Sequence, residues 1–177
     1  AAGEHALVTG IGGGVATFAS AFAIALGAKV FVTSSAEEKI QRAQQLGAAG
    51  GVVYTQDKWG KTLAKLSGGI DVVIDGAPAG SLSQYIRALN LGARVVIYGS
   101  TGGVDAQFST PDLFLRHASL LGTAMGTLDD FGRMLEFVAG KQLRPVIDQR
   151  FTLDHARDAL LSLESNHGMG KIVVTID

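Results

Sequence analysis

The sequence predicts an α/β fold in which a parallel sheet lies between two layers of helices, and three observations predict it. Short β-branched apolar runs alternate with helical patterns along most of the chain, the signature of βαβ units. Several of those runs, "DVVI" and "RVVIY" above all, are nearly continuously apolar, as strands are when helices cover both of their faces. "ALGAK", "QLGAA" and "NLGAR" each put Gly just past a predicted helix and shortly before the next strand, where a left-handed cap is needed.

Taken in order, the apolar runs predict strands over residues 5–9, 29–33, 51–54, 71–74, 94–98 and 120–123. Helical spacing between and after them predicts helices over 14–26, 36–46, 58–66, 80–88 and 128–139. After Gly140 the alternation breaks, leaving a strand near 146–151, a helix near 154–163 and a last strand over 171–176. Residues 1–140 are thus expected to form one domain, and 141–177 a C-terminal segment that docks against another structural unit.

Composition narrows the function classes. With 177 residues, 47% hydrophobic, the chain can bury one good core. Fifteen basic residues nearly cancel 16 acidic ones without a basic cluster, so the footprint of a nucleic-acid binder is missing and small molecules are the expected partners. The longest apolar run, Val15 to Leu26, falls short of the roughly 18 residues needed to span a bilayer, and no membrane partner is expected. Having no cysteine, the chain can hold no disulfide, thiolate nucleophile or Cys-ligated zinc, and a cytoplasmic location is expected.

"LVTGIGGGVA", residues 7–16, sets four glycines between the first strand and the first helix. Glycine is costly to order, but it lets the backbone approach a pyrophosphate, whose charge the helix N–H groups and dipole stabilise. At the first crossover of a parallel sheet this is the setting of a dinucleotide-binding turn, so the fold expected is a doubly wound Rossmann sheet of six strands in three α/β/α layers. The strict G-x-G-x-x-G frame fails, and Gly10-x-x-Gly13-x-x-Ala16 fits instead.

The second predicted strand ends "VFVTSSAEEK", with Ser34 and Ser35 where an NAD site usually carries an acid. Hydroxyls there, with Lys39 one helical turn on, can donate hydrogen bonds and charge to a 2′-phosphate, which favours NADP(H) over NAD(H). Ser35 and Glu38 also fit a capping box, and the two readings are compatible. The missing acid weakens a rival S-adenosylmethionine site as well.

"VTGIGGGVA", "EKIQRAQQLGA", "GIDVVIDGA", "GARVVIYGS", "LLGTAMGT", "RPVIDQRFTLDHARDAL" and "GMGKIVVTID" follow one another in an order that resembles the medium-chain dehydrogenase/reductase superfamily, in its quinone oxidoreductase-like and zinc-type alcohol dehydrogenase-like branch. The likeness covers essentially the whole chain and departs from the family pattern at Ala16 and at "GMGK". It implies an oxidoreductase that moves hydride between nicotinamide and a small carbonyl, quinone, enone or alcohol. The chain would be that enzyme's cofactor domain and C-terminal return segment, with the GroES-like catalytic domain and any zinc ligands elsewhere.

The same resemblance implies that Gly12, Gly13, Gly14 and Val15 cradle the pyrophosphate and that Ser34, Ser35 and Lys39 hold the 2′-phosphate. Tyr54 would sit beside the adenine, while Gly76, Ala77, Tyr98, Gly99 and Ser100 would line the path to the nicotinamide. Tyr54 is equally readable as a half-buried strand aromatic, and Gly76 and Gly99 as strand-ending turns. In the family the strand from Leu120 to Thr123 pairs with its copy, which implies a homodimer.

Other candidates are weaker. His5, His117, His155 and His167 have no ligand spacing, and no nucleophile elbow accompanies Asp112 and His117. Asp71 and Asp75 stand roughly 13 Å apart along one strand, beyond glycosidase geometry, with Asp75 expected to face the cofactor side. Catalytic residues are not identifiable in this chain. A non-catalytic NAD(P)H-sensing module is the alternative reading.

Overall fold

The computed structural model describes residues 1–165 and 168–176. Strands β1 (His5–Val8), β2 (Lys29–Ser34), β3 (Gly50–Val53), β4 (Ile70–Asp75), β5 (Leu89–Ile97) and β6 (Ser119–Gly122) form one parallel sheet in the order β3-β2-β1-β4-β5-β6. The order reverses between β1 and β4, and that crevice is where open α/β sheets bind ligands. Helices α1 (Gly14–Ala25), α2 (Glu37–Gln45), α3 (Trp59–Ser67), α4 (Pro78–Tyr85), α5 (Thr110–Phe114) and α6 (Leu128–Gly140) are distributed over its two faces. The chain then forms β7 (Ile147–Thr152), α7 (Ala156–Ser165) and β8 (Lys171–Thr175), with β7 and β8 paired in a separate two-stranded parallel sheet.

Strand alternation builds two cores. Leu7 and Phe31 point to one face, where they pack with Leu63, Leu82, Tyr85 and Ile86. Ala6, Val8, Val30 and Val32 point to the other, against Ala16, Ile40 and Ala43. Each large aliphatic side chain fully buried in this way contributes about 1.5–3 kcal/mol. Between α3 and α4 the approach is so close that a β-carbon at Gly60 would collide with the Gln84 carbonyl oxygen.

The expected layers and strand order are therefore present, with local differences. Gly27 and Gly47 do end α1 and α2 in left-handed conformation, at φ 83° and 103°. Gly92, expected as a third cap, lies instead inside β5 at φ 76°, where the pairing with β4 shifts register and the Gly92 amide donates to the Arg116 carbonyl. A bulge and a helix cap demand the same left-handed residue, so composition cannot separate them. The fourth helix starts at Pro78, ahead of the expected Gly80, and ends in a 3-10 turn over Ile86–Ala88. No capping box forms at α2: its N-cap is Ala36, and the Ala36 amide donates to Ser34 Oγ at 3.2 Å. Helix α5 was not expected, and His167 lies outside the described residues. Among the described residues no helix is long and apolar enough to cross a membrane.

Candidate functional site

At the carboxyl ends of β1, β2 and β4 a cleft of about 440 Å³ opens over the glycine turn. The turn is tied to β2, because Ile11 N donates to the Thr33 carbonyl and Gly10 N to Thr33 Oγ1. Gly13, on the cleft wall, is the N-cap of α1 and provides no side-chain acceptor, so the amides of the first helical turn have no capping side-chain oxygen.

Two lysines converge on that turn. Lys39 Nζ lies 3.2 Å from where a β-carbon would stand on Gly12, and Lys171 Nζ 2.5 Å from that of Gly14. Lys39 comes from α2 and Lys171 from β8, at the far end of the chain. The β8 approach is held by backbone contact, with Gly170 N donating to the Gly12 carbonyl at 3.2 Å. Side chains at 12 or 14 would displace these ammonium groups. The arrangement places two ammonium groups beside the N-terminal end of α1.

Of the residues expected from sequence, the cleft wall brings together Gly12, Gly13, Ser34, Ser35, Lys39, Tyr54, Gly76, Ala77 and Tyr98. Gly14, Val15, Gly99 and Ser100 are not on it. Gly14 lies under Lys171, Val15 is 55% exposed, and Gly99 packs on the Gly76 backbone. Thr9, Trp59, Ser81 and Thr101 line the wall without having been expected, and Lys171 was missed as well. The chain's only tryptophan was a signal for Trp59, whereas nothing local marks Lys171.

Beneath the cleft Asp75 is fully buried at the carboxyl end of β4, bonded to residues of the cleft wall. Its carboxylate accepts hydrogen bonds from Thr9 Oγ1 (2.7 Å), the Ala77 amide (2.8 Å), Ser81 Oγ (2.5 Å) and Tyr85 Oη (2.7 Å). Four neutral donors thereby fasten the end of β1 to the start of α4 across the sheet reversal. Burial, reinforced by the Asp75 charge, pushes the Tyr85 hydroxyl far above its ordinary range, so it stays a donor. Tyr98 is shifted upward for the same two reasons, and its ring lies across Gly76, whose β-carbon would stand 2.7 Å from the phenol oxygen.

Zinc does not fit this part of the molecule. The chain has no cysteine, and among the described residues no group of three or more His, Asp or Glu side chains converges to hold a metal ion.

Known proteins show the same build. The family model described as zinc-binding dehydrogenase matches residues 14–140. A zinc-type alcohol dehydrogenase-like protein of Leptosphaeria maculans is 35% identical over 98% of this chain and 51% of its own length. Quinone oxidoreductase-like protein 2 of Bos taurus is 30% identical over 98% of the chain and 53% of its own. A solved NAD-dependent alcohol dehydrogenase superposes with a TM-score of 0.87 at 32% identity, covering 99% of the chain and 52% of that structure. The chain spans about half the length of the curated relatives it matches. With the glycine turn, sheet order and cleft in the places this architecture requires, the chain belongs to the zinc-binding dehydrogenase family of medium-chain oxidoreductases, of which it forms the cofactor-binding domain.

Proposed function

We propose that this chain binds NADP(H) for an oxidoreductase that moves hydride between the nicotinamide and a small carbonyl, quinone, enone or alcohol substrate. The convergence of Lys39 and Lys171 on the glycine turn carries the reading. In it the diphosphate lies against the first turn of α1, where the amides and the Lys171 ammonium neutralise its charge, while Lys39 with Ser34 and Ser35 holds the 2′-phosphate. The adenine lies beside Tyr54, and the nicotinamide end runs past Gly76, Ala77 and Tyr98, which line the same cleft. When bound, the cofactor donates or accepts the hydride, and these residues orient it.

Preference for the 2′-phosphate is supported by the end of β2. No carboxylate stands there to repel it, Ser35 is exposed, and Ser34 Oγ accepts from the Ala36 amide while keeping its own hydrogen to donate. Lys39 borders the same wall. The similar structure described as NAD-dependent carries its own preference, so the assignment rests on the residues of this chain.

Two apolar surfaces support larger assemblies. The faces of α6 and α7 leave Leu128 90% exposed along with Phe131, Leu135 and Leu160, which suits packing against a catalytic domain. Strand β6 is the last strand of the sheet and pairs on one side only among the described residues, with Leu121 on it exposed, which suits a two-fold pairing.

Calorimetric titration tests the cofactor reading, with Trp59 fluorescence as a second signal. NADPH is expected to bind about tenfold or more tighter than NADH, the worth of a charge-assisted contact. Lys39→Glu should abolish that difference. Equal affinities in the wild-type chain refute the 2′-phosphate assignment, and failure to bind either nucleotide refutes the site.

A further inference from the structure

Lys171 follows the turn that precedes β8, and that turn rests on a half-buried ion pair away from the cleft wall. Asp148 of β7 accepts from Arg42 Nη1 at 3.0 Å and from the Met169 amide at 3.3 Å. Arg42 Nη2 also donates to the Ile147 carbonyl at 3.3 Å. A β-carbon at Gly168 would collide with the Asp148 carboxylate, so the turn lies directly on it. The next contacts along the turn are those already described, Gly170 N to the Gly12 carbonyl and Lys171 over Gly14. Arg42 sits on α2 one turn beyond Lys39, so a single helix supports both lysines, one from its own surface and one through Asp148.

We infer that Asp148 is a positioning residue of the nucleotide site, holding the residue 168–170 turn against α2 so that the Lys171 ammonium is presented to the diphosphate. The inference rests on the reading of the glycine turn as a diphosphate seat. It makes cofactor affinity depend on whether the C-terminal segment is docked, with Arg42 and Asp148 as the latch. The side chain of Asp148 is 14% exposed, whereas that of Arg42 is 39% exposed and can be altered with less disturbance.

A double-mutant cycle on the 177-residue chain tests this, with adenosine diphosphate ribose as the diphosphate probe and adenosine 2′-phosphate as a probe lacking any phosphate for the glycine turn. Lys171→Gln is expected to weaken adenosine diphosphate ribose about tenfold, and Asp148→Asn about fivefold. The double variant should lose no more than Lys171→Gln alone, because a mispositioned lysine has little left to remove. Adenosine 2′-phosphate should bind each variant within about twofold of wild type, which general loosening of the domain would not allow. Arg42→Ala should reproduce the Asp148→Asn loss and Arg42→Lys restore most of it; this pair replaces Asp148→Asn in the cycle if that variant does not fold. Wild-type affinity for adenosine diphosphate ribose in the latch variants, or losses that multiply with that of Lys171→Gln, overturns the inference while leaving the nucleotide site standing. A wild-type chain that binds none of these nucleotides overturns the site, and the latch role with it.

Discussion

Tyr85 shows how much one hydroxyl can hold. Its oxygen donates to a carboxylate that has no solvent exposure, and Phe at this position would keep the ring while removing one of the four donors on Asp75. Tyr85→Phe is expected to lower unfolding stability by about 1–3 kcal/mol in urea titration, the cost of leaving a buried charged acceptor short of a partner. NADPH affinity should change little, because Tyr85 is not on the cleft wall. At the same scale, several sequence readings depended only on the residue and its immediate neighbours, and these are where the structure put them. Ser34 ends β2, Ser35 and Tyr54 directly follow strands, and Lys39 lies in the first turn of the next helix, so their approach to the cleft was legible. That Asp75 is wholly buried was not legible, because strand alternation indicates a face but not how deeply that face is covered.

Among the elements, α3 and α4 are held at a distance set by Gly60. Gly60→Ala places a methyl group against the Gln84 carbonyl, and since a helix backbone cannot easily give way the expected loss is about 1–3 kcal/mol, readable as a lowered denaturation midpoint. Trp59 begins the same helix and touches Tyr85, so its fluorescence should report the displacement of α3 in this variant. The order and approximate extent of the strands and long helices were legible because apolar periodicity and glycine stops are local properties. The short helix α5 was not, since five residues cannot display a period, and the bulge at Gly92 was not, since it is defined by a neighbouring strand.

For the whole molecule, acid sensitivity follows from two carboxylates that fasten distant parts of the chain. Burial pushes Asp148 upward, but the Met169 amide and Arg42 outweigh it and hold its pKa below the ordinary value. Burial likewise opposes, and the bonds from Asn90 and the His5 amide outweigh it, at Asp71. A pKa depressed by folding adds stability above the unfolded value, near 3.9, that is lost as pH falls through the folded value. The chain should therefore hold its stability at neutral pH and lose it below about pH 4, and Asp148→Asn should flatten that fall. Hydrogen exchange should show β7 and β8 losing protection before the six-stranded sheet, because a two-stranded sheet is marginal alone. If β6 pairs with its copy, Leu121→Lys should shift sedimentation toward the monomer.

The amino-acid sequence by itself determined the element order, the parallel layered sheet and the glycine turn, since each follows from backbone preference or side-chain period within a few residues. Only the tertiary structure decided that Lys171 meets Gly14, that Asp148 ties β7 to α2, and that Asp75 gathers donors from β1 and α4. Those contacts join residues far apart along the chain. Which of them meet is set by the crossover at the sheet reversal and by the packing of the return segment, neither of which any local stretch of sequence encodes.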